Sequence, residues 1–169
     1  MRNIGFYGGG SICELGPVSD VILFWECIDH YAIQPHPEQD WSLLTDRLYR
    51  RYLKLEELDQ ASFLMDQIKE IFQNLPSSSV DWDALPKDPE QTRLDPTSPT
   101  LADIFKRYFE HFDHCVGSAK LSHYGLDSIP GYGYKPVKTV ISDIPAYFLD
   151  KKRSLEEYDT LEGDPFWLR

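Results

Sequence analysis

The sequence predicts a mainly helical domain, or an α+β one with a small sheet, and three stretches carry that expectation. From Lys54 to Leu75 the apolar residues Leu55, Leu58, Ala61, Met65, Ile68, Phe72 and Leu75 recur three and four apart, the stripe of a packed helix. Thr100 followed by Asp103 reads as a capping-box start, and Leu101, Ile104, Phe105, Tyr108, Phe109 and Phe112 then line one side of a helix. Val137, Thr139 and Ile141 alternate with Lys138 and Val140 as a strand would, placed to pair with residues 3–7. At 169 residues the chain suits a single domain, 1–169, built as a helical bundle plus short strands, with a proline-rich loop or insert at about 76–99.

In chain order, Ile4 to Tyr7 reads as a short strand running into a turn at Gly8-Gly9-Gly10, because three glycines cost a regular element too much backbone entropy. Pro17, Ser19 and Asp20 start a helix through Val21, Ile22, Phe24, Trp25 and Ile28; its apolar residues nearly encircle it, so it is expected at the centre. A second helical region begins near Asp40 or Ser42, passes through Leu43, Leu44, Leu48, Tyr49 and Tyr52, and continues into the Lys54–Leu75 stripe. That stripe is assigned to packing inside a bundle rather than to a coiled coil. Between Pro76 and Pro99 five prolines and three consecutive serines leave no period. Asp143 and Pro145 restart the chain as a short helix through Tyr147, Phe148 and Leu149, ahead of a charged tail.

The charge balance narrows the function classes. Twenty-eight acids against 17 bases give a net charge of -11, a field that repels phosphate backbones and anionic lipid, so direct nucleic-acid or membrane binding is not expected. The excess lies mostly in residues 1–85, with 14 acids against 6 bases. It serves solubility, or it steers a cationic partner. Three widely spaced cysteines, Cys13, Cys27 and Cys115, argue against a disulfide framework and for a reducing compartment. Met1 to Phe6 has no apolar signal core, and the longest apolar run, Val21 to Trp25, is far too short to span a membrane, so a cytoplasmic location is expected.

Motifs for chemistry are sparse. Gly8-Gly9-Gly10-Ser11 is followed by Glu14 rather than by the lysine a phosphate loop needs, and no cofactor is expected. His111, His114 and Cys115, with His123 beyond, bring possible metal ligands near one another, and His111 and Cys115 share a helix face at i,i+4. A small metal-dependent or hydrolytic enzyme using His111, His114 and Cys115 is the alternative this set supports; the plainer reading is packing or surface positions, with no metal. Paired acids at Glu56-Glu57 and Glu156-Glu157 point about 100° apart on a helix and cannot straddle a bond.

Two segments have the makeup of a binding surface. Asp81-Trp82-Asp83 sets an aromatic between carboxylates in the proline-rich stretch, with Asp88 and Glu90 following; a tryptophan plugging its own core is the competing reading. The tail carries Glu156, Glu157, Asp159, Glu162 and Asp164 beside Phe166 and Trp167, and local packing competes there too.

The run Arg47-Leu48-Tyr49-Arg50-Arg51-Tyr52-Leu53-Lys54-Leu55-Glu56-Glu57-Leu58-Asp59-Gln60-Ala61, continuing through Leu64-Met65 and Ile68 to Phe72, resembles a segment of bacterial immunity proteins of contact-dependent growth inhibition and related polymorphic-toxin systems. The resemblance implies a cytosolic, non-enzymatic protein that binds a cognate toxin domain, a basic nuclease by this reading, and covers its active site with acidic residues. It transfers no binding residue of its own. The toxin-binding residues expected from charge and aromatic placement are Asp81, Trp82, Asp83, Asp88, Glu90, Glu156, Glu157, Asp159 and Trp167. An adaptor or structural subunit of a larger assembly is a further alternative.

Overall fold

A computed structural model describes residues 2–85, 91–126, 134–143, 157–158 and 162–168. Strands β1 (Asn3–Gly8) and β2 (Ser11–Pro17) form a hairpin, and β3 (Lys138–Ile141) pairs with the other edge of β1, giving an antiparallel sheet of order β2-β1-β3. Helices α1 (Val18–Ile28), α2 (Leu58–Gln73), the single turn α3 (Leu101–Ile104) and α4 (Lys106–Leu126) pack with this sheet around one core, so the fold is α+β. Among the described residues, no helix is long and apolar enough to cross a membrane.

The hairpin turns on Gly9 and Gly10, with φ of 59° and 89°. Two successive positive φ values are what a two-residue loop between twisted strands requires, and glycine reaches them without strain. Gly9 also lies against α4, where a Cβ would come 2.2 Å from the Ser118 carbonyl oxygen. The turn expected at the glycines is therefore packed onto a helix. Strand β2 was not expected, because Ser11 to Pro17 shows no clean apolar alternation; only Leu15, Gly16 and Pro17 of it are buried. The β3 pairing is the expected one: Ile4 lies opposite Ile141, Phe6 opposite Thr139, and Tyr7 opposite Lys138. All four β3 residues are buried, and the Lys138 ammonium sits 4.1 Å from the centre of the Tyr158 ring, a cation–π contact that compensates for its removal from water.

Helix α1 is central, as its all-round apolar character requires. Phe24 is fully buried, with ring centres of Tyr108, Phe105 and Phe109 at 4.6, 5.2 and 5.8 Å and that of Phe72 at 6.3 Å. One aromatic side chain thereby couples α1, α2 and α4. The stripe of α2 is inward-facing over Leu58, Ala61, Leu64, Met65, Ile68 and Phe72.

Two helical expectations are corrected. The Leu43 region does not run on into the Lys54–Leu75 stripe, because Leu53 leaves the helix to donate its N–H to the Val137 carbonyl at 2.8 Å, and Lys54 N–H is then taken by Glu57 Oε1 at 2.8 Å. A long-range β-bridge outcompetes local helix propensity there. The helix capped by Thr100 and Asp103 forms with both reciprocal hydrogen bonds at 3.2 Å but kinks at Phe105 before α4 resumes. The short helix expected at Tyr147 to Leu149 lies outside the described residues.

Asp29–Ile33 and Leu43–Leu48 are π-helical: Gln34 N–H reaches back five residues to the Asp29 carbonyl at 3.0 Å, and Tyr49 N–H reaches the Leu44 carbonyl. Each widened turn swings side chains off the ordinary helical row, a geometry recurrent at binding sites.

Candidate protein-binding face

The outward stripe of α1 gathers apolar and acidic side chains at the surface. Ile22, Glu26 and Asp29 succeed one another at helical spacing, and Ile33 extends the row across the first π-turn. The two isoleucines are half-buried; Glu26, Asp29 and His30 are exposed. A cleft lies on either side, and Ile22 and Glu26 form the ridge common to both.

The first cleft, about 190 Å³, runs between α1 and the proline-rich segment, walled by Leu23, Trp82, Leu85, Leu94 and Pro96. The segment is tied down on both sides. Ser77 N–H donates to the Pro99 carbonyl at 3.1 Å and Leu101 N–H to the Leu75 carbonyl at 3.0 Å, which closes its base. The Trp82 indole N–H donates to the Ser77 carbonyl at 2.8 Å, and the Tyr31 hydroxyl donates to the Ser79 carbonyl at 2.6 Å, fixing the 77–82 turn against the first π-turn. At the far side, Asp20 accepts from the Thr92 hydroxyl and from the Arg93 backbone N–H, both at 2.8 Å, while the Arg93 guanidinium pairs with Glu14. Asp20 is almost entirely buried, and loss of hydration holds its carboxyl above the ordinary value; the Arg93 N–H, the Thr92 hydroxyl and the Arg93 charge offset part of that. It is a structural strut rather than a free surface charge.

The second cleft, about 450 Å³, opens between the two π-helical segments and is lined by Trp25, Asp29, Ile33, Thr45 and Tyr49. Trp25 stacks edge-on to Tyr49 at 5.2 Å, and its indole N–H has no hydrogen-bond partner among the described residues. Among the described residues, no lysine or arginine lines either cleft.

The expected binding residues separate in this geometry. Asp81, Trp82 and Asp83 come together beside the first cleft. Trp82 is half-buried, so it both packs on the core and presents part of its ring to the cleft. Asp83 is exposed, and Asp81 Oδ1 accepts the N–H groups of Asp83 and Ala84 at 3.3 Å, holding the turn. Trp167 is only 1% exposed and gives its indole N–H to the Tyr49 carbonyl at 2.9 Å. Its ring stands behind Tyr49 at 5.3 Å, so it supports the wall of the second cleft from the inside and is not an exposed anchor. Glu157 is exposed, but lines neither cleft. Asp88, Glu90, Glu156 and Asp159 lie outside the described residues.

The alternative set on α4 is also separated. Cys115 is fully buried and His114 exposed; burial and the neighbouring Arg107 charge push His111 below its ordinary value. Among the described residues, no three His, Cys, Asp or Glu side chains converge as metal ligands would. The residues that sequence reasoning missed are Glu26, Asp29, Ile33 and the cleft face of Tyr49. The signal was present, since residues 22, 26, 29 and 33 are spaced four, three and four apart, two acids flanked by isoleucines along a row that starts in the apolar segment Val21–Ile28.

No family model, curated protein or solved structure matches this chain.

Proposed function

We propose that the protein binds a basic protein partner through the α1 face, and that the partner is a toxin domain, a nuclease by its charge, which it neutralises by covering the active site. The observation that carries this reading is the pair of clefts sharing the Ile22–Glu26 ridge, apolar in their walls, acidic along the ridge and, among the described residues, without lining lysine or arginine. Carboxylates at Glu26, Asp29, Asp81 and Asp83 offer a cationic surface the charges that phosphate would otherwise supply, which accelerates association. Trp82 and Tyr49 supply rigid aromatic area on either side of the ridge, and such groups slow dissociation when a partner desolvates them. The net charge of -11 adds long-range attraction to any basic partner. The resemblance of the Arg47–Phe72 segment to immunity proteins supports the choice of a toxin.

Co-purification with the toxin domain encoded immediately upstream tests the reading. A stable complex that blocks the toxin's activity is expected, and lack of binding at micromolar concentration overturns it.

A further inference from the structure

We propose that Cys13 and Cys115 are an oxidisable thiol pair that closes to a disulfide joining β2 to α4. The approach of the two elements sets up the contact. Ser11 Oγ on β2 lies 3.1 Å from Ser118 Oγ on α4. Residues two apart on a strand share a face, and residues three apart on a helix share a face. Cys13, two residues beyond Ser11, therefore faces Cys115, one helical turn before Ser118, and its cross-strand partner Phe6 packs on the same helix with its ring centre 6.0 Å from that of Phe112. The neighbouring strand also packs closely on this turn of α4, since a Cβ on Gly8 would stand 2.5 Å from the Cys115 carbonyl oxygen. Both thiols are free.

Exposure divides their roles. Cys13 is partly exposed and Cys115 fully buried, so an oxidant reaches Cys13 first. With hydrogen peroxide, the Cys13 thiolate attacks one peroxide oxygen, the O–O bond breaks, and sulfenic acid and hydroxide result. The Cys115 sulfur then attacks the Cys13 sulfur, giving up its proton; the sulfenic oxygen leaves as water and the S–S bond forms. In total, two thiols are oxidised, one peroxide is reduced, and two waters form. Burial beside Cys13 holds the Cys115 thiol far above its ordinary value, which makes the second step slow. Cys27 is buried in α1 with its thiol pushed up to about 12 by desolvation and by Glu26, and it stays reduced. Neither member of the pair lines a cleft beside α1, so this proposal and the binding proposal fail independently.

The test treats the full-length native protein with hydrogen peroxide, then unfolds it and labels remaining thiols with N-ethylmaleimide. One labelled thiol per chain is expected, with a Cys13–Cys115 linked peptide on non-reducing digestion. The melting temperature should rise by roughly 5–10 °C, because the bond closes a loop of about 100 residues. In Cys115→Ser, dimedone should trap sulfenic acid at Cys13. If that variant fails to fold, Cys13→Ser serves instead: it should retain both remaining thiols and show no rise in melting temperature. Three labelled thiols after oxidation, an intermolecular bond, a bond involving Cys27, or sulfinic acid at Cys13 without cross-linking would each overturn the proposal.

Discussion

Trp82 and Trp167 sit in segments that look alike on paper, each an aromatic among acids and prolines, yet the fold uses them in opposite ways. Trp167 is buried and sends its indole N–H to the carbonyl of Tyr49, far away in sequence. Trp82 is half-buried, closes a local turn on Ser77, and leaves part of its ring facing a cleft. Composition near a tryptophan does not decide between anchor and plug. What decides is whether its ring and N–H find a distant or a local partner, and that is a property of the tertiary fold.

The difference predicts a ranking of effects. Trp167→Ala should cost the most, about 3–5 kcal/mol, since it empties a buried site and leaves the Tyr49 carbonyl unpaired, and urea unfolding followed by circular dichroism measures it. Next comes Asp20→Asn, at about 1–3 kcal/mol, because an amide cannot accept both the Thr92 hydroxyl and the Arg93 N–H as the carboxylate does. The pH dependence of that variant is a sharper check. Burial holds the Asp20 carboxyl above its ordinary value of 3.8, so the folded state takes up a proton more readily than the unfolded chain does. Wild-type stability from this group therefore falls as pH rises from 3.8 through the raised folded value, and the cost of Asp20→Asn should shrink over the same range. A cost that grows with pH would show that Asp20 is stabilised chiefly as an anion.

Trp82→Ala should cost only about 1–2 kcal/mol of stability, in keeping with half-burial, while raising the dissociation rate from a partner by ten-fold or more, about 1.4 kcal/mol or above. If its stability loss equals that of Trp167→Ala, the contrast between the two tryptophans collapses. The smallest effect on stability belongs to Glu26→Lys, expected within about 0.5 kcal/mol of wild type in the same unfolding experiment, because an exposed side chain on a helix surface contributes little to the core.

Local pattern made a good part of this architecture legible. The α2 stripe, the Thr100–Asp103 cap, the central α1 and the pairing of β3 with residues 4–7 each express one periodicity or one capping rule, and each formed. What escaped were β2, which pairs with the adjacent β1 but lacks alternation; the break at Leu53, imposed by the distant Val137; and the π-turns at Asp29–Ile33 and Leu43–Leu48, which no local pattern marks. The candidate face was half legible. Asp81, Trp82 and Asp83 stood out by composition, but their position beside α1 depends on Tyr31 reaching Ser79 and on Asp20 holding Thr92 and Arg93, contacts that span 48, 72 and 73 residues. The meeting of Cys13 and Cys115 was invisible for the same reason.

The most direct test of a partner-binding α1 face is the association of the proposed partner, a basic toxin domain, with the Glu26→Lys/Asp29→Lys double variant, followed by stopped-flow fluorescence at low and high salt. The wild type should associate fast and slow steeply with added salt, while the double variant should associate roughly ten-fold more slowly at low salt and converge on the wild type at high salt. Equal association rates at low salt, in a variant that remains folded, would contradict the assignment of this face.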